Sequence, residues 1–147
     1  MKDIRIQTLE DTKQLANTLV HLLKRKGCLC LSGDLGAGKT TLTKYIGKAL
    51  GIEEVITSPT FTILKIYEGE HPLYHVDAYR LEEISQDLGF EEYFESEGLS
   101  VIEWYEFIEE ALPKERLEIT IELDGEIRIA HVEAKGERYQ SVLEELK

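Results

Sequence analysis

Cysteine is scarce in this sequence, and a chain of 147 residues needs neither disulfides nor a metal to hold its fold. Cys28 and Cys30 are the only two cysteines. They stand two residues apart in a short apolar run, so in a strand both side chains point to one face of the sheet. A zinc site would need two more ligands, and the chain has no second cysteine pair. We interpret both as buried core residues, with a metal or redox role as the alternative.

The sequence also lacks long apolar runs. No stretch is long enough to span a bilayer. Residues 1–5 have neither the apolar region nor the cleavage site of a signal peptide. We therefore expect a cytoplasmic protein with no membrane part. The length, with 42% hydrophobic and 31% charged residues, predicts one globular domain over residues 1–147.

Positive charge is scarce in the second part of the chain. Residues 1–50 carry nine Lys and Arg against four Asp and Glu, a net charge of +5. Residues 51–147 carry eight against 25, a net charge of −17. This acidic part should repel nucleic acid at long range. We therefore expect no stable direct binding to tRNA or DNA and favour a protein partner that carries a basic patch.

One glycine-rich stretch organises the chain. Residues 33–40 fit the pattern G-x-x-x-x-G-K-[ST] of the phosphate-binding P-loop. The apolar run 28–31 before it predicts a buried strand, and residues 41–50 after it have apolar side chains at helical spacing. Glycines let backbone N–H groups approach phosphate oxygens, and the helix that follows points its positive dipole end at them. Lys39 adds a charge for the β- and γ-phosphates, and the Thr40 hydroxyl can ligate Mg²⁺.

Two acidic residues stand at the ends of predicted strands. Asp77 ends the predicted strand 73–77, and Glu103 follows the short apolar run 99–102. In a protein with a P-loop, a carboxylate at a strand end is expected to hold Mg²⁺ or to orient water. Asp77 could instead cap a helix or pair with Arg80. His75 shares a strand face with Asp77, and we interpret it as a packed, hydrogen-bonded residue.

Three further positions carry candidate roles. Thr8 is the predicted N-cap of the first helix, because acidic residues and an apolar stripe follow it. Thr60 lies in the hydroxyl-rich stretch 56–61, which either senses the γ-phosphate and Mg²⁺ or forms an ordinary turn. Trp104, the only tryptophan, either lines a nucleotide or partner site or fills the core or a groove.

The strand and helix patterns predict an α/β fold: a P-loop NTPase-like three-layer sandwich with a mainly parallel sheet between helices. Two hairpins, at 62–77 and 117–132, should add antiparallel pairs. In the second hairpin, Asp124 and Gly125 have the composition of a two-residue turn.

Four motifs in this chain resemble those of the TsaE family, formerly YjeE, the small bacterial ATPases of tRNA threonylcarbamoyladenosine synthesis. They span residues 33–41, 58–61, 75–81 and 102–104. Their order and spacing agree with the family over nearly the whole chain. The resemblance implies an enzyme that binds ATP and Mg²⁺ and hydrolyses ATP. It also implies a complex with TsaD, which transfers the threonylcarbamoyl group, and TsaB, its scaffold. ATP hydrolysis would permit multiple turnover of that complex, and contact with tRNA would be indirect.

The resemblance also assigns roles by position. It gives phosphate binding to Lys39, Mg²⁺ binding to Thr40 and Glu103, and the role of catalytic acid to Asp77. It places residues 58–60 in a switch-like loop near the γ-phosphate. The predicted catalytic residues are Asp77, Lys39 and Glu103. The predicted nucleotide-binding residues are Gly33, Asp34, Leu35, Gly36, Ala37, Gly38, Lys39, Thr40, Thr41, Thr8 (near the adenine), Thr60 and Trp104 (beside the nucleotide).

A P-loop small-molecule kinase is the alternative function. Kinases usually shield the phosphates with an arginine-rich lid, whereas the arginines beyond the P-loop helix are few and widely separated: Arg80, Arg116, Arg128 and Arg138. A GTPase is disfavoured because the guanine-reading N-K-x-D is absent and no D-x-x-G follows Asp77. No arginine finger can be assigned from the sequence, so we predict slow hydrolysis alone and activation by partners.

Overall fold

The computed structural model describes residues 1–24, 26–33, 38–56, 64–69, 71–78 and 98–146. Alternating and continuous apolar runs form strands, and segments with apolar residues every three or four positions form helices. In chain order the described elements are β1 (Lys2–Ile6), α1 (Leu9–Leu22), β2 (Gly27–Gly33), α2 (Lys39–Ala49), β3 (Leu64–Tyr67), β4 (Leu73–Asp77), β5 (Leu99–Glu103), a 3₁₀ helix (Tyr105–Ala111), β6 (Arg116–Asp124), β7 (Ile127–Lys135) and α3 (Glu137–Glu145).

The described strands form one sheet in the order β1-β7-β6-β2-β5-β4-β3. The four central strands, β6, β2, β5 and β4, run parallel. The outer pairs, β1–β7, β6–β7 and β3–β4, are antiparallel. The predicted α/β fold with antiparallel hairpins is confirmed, and its parallel part is confined to the centre because both edges are built by hairpins and by β1. The central order brings the carboxyl ends of β2, β5 and β4 side by side.

The turn between β6 and β7 lies one residue later than the sequence pattern predicts. Asp124 pairs with Ile127 in the ladder, so the turn consists of Gly125 and Glu126. Gly125 has a φ of 67°, and among the described non-glycine residues only Lys24 and Trp104 have a positive φ. A positive φ followed by a negative one fits a type II′ turn, which favours glycine at its first central position. The requirement for glycine there therefore fixes the register.

Each face of the sheet has its own core. Leu29 and Leu31 on β2 point to the face that α1, α2 and α3 cover. Cys28 and Cys30 point to the opposite face, where they pack with the 3₁₀ helix region. Both thiols are free and buried, with their sulfur atoms 3.9 Å apart. The prediction that both are core residues on one face is confirmed.

Helix α1 begins with the cap that its sequence predicts. The Thr8 hydroxyl accepts a hydrogen bond from the backbone N–H of Asp11, and the Asp11 carboxylate accepts one from the N–H of Thr8, both at 3.2 Å. This reciprocal capping box satisfies two backbone donors at the helix start. Within the described part of the chain, no helix combines the length and apolar character needed to cross a bilayer.

Candidate functional site

The predicted site lies at the carboxyl edge of the central strands, where ligands of open α/β sheets bind. Strand β2 ends at Gly33, directly before the remainder of the predicted P-loop, and α2 begins at Lys39 directly after it. Gly38 caps α2 with a φ of 110°, a conformation that glycine adopts far more easily than other residues. Five predicted nucleotide-binding residues lie outside the described residues, and their roles stay predictions: Asp34, Leu35, Gly36, Ala37 and Thr60. The rest of the predicted switch-like loop at 58–60 also lies outside them, so its role likewise stays a prediction.

Helix α2 places Lys39, Thr40 and Thr41 in its first turn. The Lys39 side chain is largely buried, and its Nζ lies 4.6 Å from the centroid of the Trp104 ring. At this distance the ammonium is attracted to the electron-rich face of the indole. The structure therefore brings together two residues that the sequence assigns to one nucleotide site from positions 65 residues apart.

Trp104 occupies a backbone conformation that is unusual for an aromatic residue. Its φ and ψ are 58° and 39°, in the left-handed region, at the point where β5 gives way to the 3₁₀ helix. Such a conformation costs on the order of 1–3 kcal/mol and is concentrated at functional sites. The ring is partly buried and stacks on Phe107, with centroids 6.1 Å apart. Trp104 thus packs against the protein on one side and contacts the predicted phosphate-binding lysine on another.

Asp77 and Glu103 lie side by side at the strand ends. They are register partners in the parallel pair β4–β5, and the N–H of Ala78 donates to the Glu103 carbonyl at 2.9 Å. Val76 and Ile102, one residue earlier, belong to the core on the cysteine face. Because side chains alternate along a strand, both carboxylates point to the opposite face, the one that α2 covers. The two predicted acids therefore lie at the edge of the sheet where α2 begins with Lys39.

Glu103 has a second neighbour that no motif predicts as its partner. The Nε2 atom of His75 lies 2.6 Å from the Glu103 Oε2 atom, and both side chains are buried. The interpretation of His75 as a packed, hydrogen-bonded residue is confirmed. The sequence does show that His75 and Asp77 share a face of their strand. The pairing of that strand with β5, which ends in Glu103, is what turns this into a contact.

The donor set at this edge suits magnesium. Carboxylate and hydroxyl oxygens are the ligands that Mg²⁺ prefers, and the site offers them from Glu103, Asp77 and Thr40. Among the described residues, no three His, Cys, Asp or Glu side chains are arranged to hold a metal ion.

Arg128 lies against the start of α2, a placement that the sequence does not reveal. A Cβ atom at Gly38 would lie 3.3 Å from both Cδ and Nε of Arg128. In the sequence Arg128 is one of several scattered arginines, and only the pairing of β6 with both β2 and β7 brings its strand toward the P-loop. The topology of the sheet thus places Arg128 near this edge.

A cavity of about 480 Å³ adjoins the outer side of α2. Its lining includes Thr41 and Tyr45 from α2, and Leu9 and Val55, which are both exposed apolar residues. Leu9 lies in the segment around residues 8–12, which the resemblance places near the adenine, so that segment adjoins the predicted P-loop helix. The Thr8 hydroxyl itself caps α1, and a contact between Thr8 and a nucleotide stays a prediction.

Comparisons with known proteins agree on one family. A family model described as "Threonylcarbamoyl adenosine biosynthesis protein TsaE" matches residues 6–130. Two curated relatives are named "tRNA threonylcarbamoyladenosine biosynthesis protein TsaE". The one from Bacillus subtilis (strain 168) is 47% identical over 99% of this chain and 95% of its own length. The one from Treponema pallidum (strain Nichols) is 38% identical over 84% and 96%.

A solved structure is also similar to this chain. The structure titled "Crystal structure of Bacillus subtilus YdiB" superposes with a TM-score of 0.82 and 39% identity. The match covers 98% of this chain and 92% of that one. The similarity therefore extends over the whole sheet and its helices rather than over the P-loop region alone.

Proposed function

This chain belongs to the TsaE family of tRNA threonylcarbamoyladenosine biosynthesis proteins, and from this premise we propose that it is the Mg²⁺-dependent ATPase of that synthesis. The observation that carries the proposal is that Asp77 and Glu103 lie side by side at one edge of the sheet, where Lys39 contacts Trp104, the residue after Glu103. A phosphate-binding cation and two neighbouring carboxylates are the parts that hydrolysis of a nucleoside triphosphate requires.

The proposed role of each site residue follows from its chemistry. Lys39 binds phosphate oxygens and offsets their negative charge. Thr40 and Glu103 would hold Mg²⁺, which when bound neutralises the charge that develops on the phosphates. Asp77, beside Glu103, accepts a hydrogen bond from the attacking water and orients it in line with the γ-phosphorus. Water adds to that phosphorus as the bond to ADP breaks, and its proton passes to the released phosphate or to solvent, so the products are ADP and inorganic phosphate.

The charge distribution supports a protein complex as the working form. The net charge of −17 over residues 51–147 opposes direct contact with tRNA. We propose that tRNA is reached only through a complex of the TsaD–TsaB type, that DNA and membranes are not partners, and that the partner supplies activation. Slow hydrolysis alone follows, because no transition-state arginine is assigned in this chain.

The first experiment measures Mg-ATP hydrolysis by the purified protein, alone and with a TsaB–TsaD pair. We expect slow ADP release alone and faster release with the pair. No binding to the pair and no stimulation, together with rapid ADP formation with a small-molecule acceptor, would instead identify the kinase alternative.

Two variants test the proposed metal ligands. Thr40→Ala and Glu103→Ala should each lower Mg²⁺-dependent hydrolysis about 10- to 100-fold. Thr18→Ala and Glu144→Ala are matched controls on exposed helix positions and should leave the rate unchanged. Near-normal hydrolysis in both site variants would remove the metal assignment.

A further inference from the structure

His75 and Glu103 form a short side-chain hydrogen bond in the protein interior, which close packing alone does not require. The Nε2–Oε2 distance is 2.6 Å, and His75 is 0% and Glu103 4% exposed. In the β4–β5 register His75 lies opposite Val101. Its ring therefore reaches along the sheet to Glu103, the next residue of β5 on the same face. When Glu103 binds a metal ion it is ionised and only accepts hydrogen bonds, so this contact then requires the His75 tautomer that carries its proton on Nε2.

The residues that precede this pair on the same face of the two strands are apolar. Leu73 precedes His75 on the same face of β4, Val101 precedes Glu103 on β5, and both are fully buried. A carboxylate in such a place needs a hydrogen-bond donor, because burying it unpaired is costly. Among the residues that the structure describes, His75 Nδ1 has no hydrogen-bond partner. Within the described part of the chain, the side-chain hydrogen bond of the ring is therefore the one to Glu103.

We propose that His75 is a positioning residue that holds the Glu103 carboxylate in its metal-binding orientation. The inference rests on the proposed function, in which Glu103 holds Mg²⁺. The hydrogen bond occupies Oε2 and fixes the carboxylate plane, which leaves Oε1 for the ion. Metal ligands are commonly oriented in this way by a partner behind them, and losing the partner weakens metal binding.

The test uses Mn²⁺ in place of Mg²⁺, because bound and free Mn²⁺ are distinguished by electron paramagnetic resonance. Mn²⁺ is titrated into the full-length protein with saturating ADP. His75→Leu fills the buried position with an apolar side chain and removes the Nε2 hydrogen-bond donor. We expect the Mn²⁺ affinity of this variant to fall about 10- to 100-fold. His75→Gln restores a nitrogen donor and should recover most of it. His21→Leu, at an exposed position of α1, is the control and should bind Mn²⁺ like the wild type.

A second readout separates positioning from folding. ADP affinity without metal should stay near the wild-type value in His75→Gln and His75→Leu, and excess Mg²⁺ should restore hydrolysis. Lower thermal stability with unchanged Mn²⁺ affinity would show a purely structural role and overturn the proposal. In a Glu103→Gln background, the His75 substitutions should no longer change Mn²⁺ affinity, and a persisting effect would also overturn it.

The remaining outcomes are distinguishable. If His75→Leu does not fold, His75→Asn takes its place: its shorter side chain should not reach Glu103, so Mn²⁺ affinity should lie well below that of His75→Gln. Equal affinities for the Asn and Gln variants would overturn the inference. If the wild-type protein with ADP binds no Mn²⁺, the proposed metal-dependent function itself fails.

Discussion

The ammonium group of Lys39 lies over the indole ring of Trp104, 4.6 Å from the ring centroid. The ring thus holds the cation near the end of β5, the strand whose last residue is Glu103. A cation–π contact contributes about 0.5–1 kcal/mol at exposed sites and about 2 kcal/mol when desolvated. It is therefore weak enough to be exchanged for contacts with phosphate oxygens.

Nucleotide binding should change the fluorescence of Trp104. Trp104 is the only tryptophan, so its emission reports on the position of Lys39. We expect Mg-ADP to shift the emission of the wild type. Lys39→Ala should weaken nucleotide binding about 10- to 100-fold, because a charged hydrogen bond is lost.

The control for this prediction lies on the same helix. Lys48 is exposed and lies 5.5 Å from the Tyr45 ring centroid, so it also makes a cation–π contact. Lys48→Ala should keep the fluorescence response and the affinity. An unchanged Trp104 emission at a nucleotide concentration shown by calorimetry to be saturating would contradict the assignment.

A methyl group at Gly38 should destabilise the protein for two separable reasons. The φ of 110° strains any other residue, and a Cβ would lie 3.3 Å from two atoms of Arg128. We expect Gly38→Ala to lower the free energy of unfolding in urea by more than the roughly 1–2 kcal/mol of backbone strain. Gly51→Ala is the matched control, with a φ of 81° and no atom within 4 Å of the added methyl group.

The contribution of Arg128 is measured by a double substitution. In an Arg128→Ala background, Gly38→Ala should cost no more than Gly51→Ala, because only the backbone strain remains. If Gly38→Ala in the wild-type background costs no more than Gly51→Ala, then Arg128 does not restrict the start of α2. The comparison uses differences between variants, so it does not depend on the absolute stability.

Local features of the site could be predicted from the sequence because their causes are local. The Thr8 cap needs only a partner three residues on, and the P-loop pattern sets the start of α2 at Lys39. Asp77 and Glu103 could be placed at strand ends from the apolar runs before them. That the two residues meet depends on β4 lying next to β5, which the sequence alone does not show.

The remaining contacts depend on strand order, which the sequence does not show. His75 reaches Glu103 because β4 lies directly beside β5. Arg128, near the start of β7, reaches Gly38 because β7 pairs with β6, and β6 lies beside β2 on the side away from β5. These pairs are 28 and 90 residues apart in the chain. No spacing rule connects them, so a lone histidine and a scattered arginine carry no local signal.

The two cysteines should not react in the folded protein. The hydrogen bond from Cys28 and burial raise the pKa of the Cys30 thiol well above its usual value. The thiolate is the reactive form, so a raised pKa and a buried sulfur both slow modification. We expect Ellman's reagent to label neither thiol in the native protein and both in urea. Rapid labelling under native conditions would instead favour the redox alternative.

The stability of the sheet edge should depend on the protonation of His131. Its Nδ1 lies 2.7 Å from Asp3 and its Nε2 lies 3.0 Å from Glu122, so one imidazole joins β1, β7 and β6. The hydrogen bonds to Glu122 and then to Asp3 raise the pKa of His131 above its usual value of 6.5. The folded protein therefore binds this proton more tightly than the unfolded chain does.

The sign of the pH dependence follows from linkage. Because the folded pKa is the higher one, the stabilisation is complete below about pH 6 and is lost as the pH rises through the folded value. Solvent screening limits it to about 0.5 kcal/mol per pair, since both carboxylates are exposed. Urea unfolding at about pH 5.5 and pH 8.5 should therefore show a difference between wild type and His131→Gln that shrinks at the higher pH. Asp3→Asn combined with Glu122→Gln should remove that dependence, and a wild-type advantage that grows with pH would refute the arrangement.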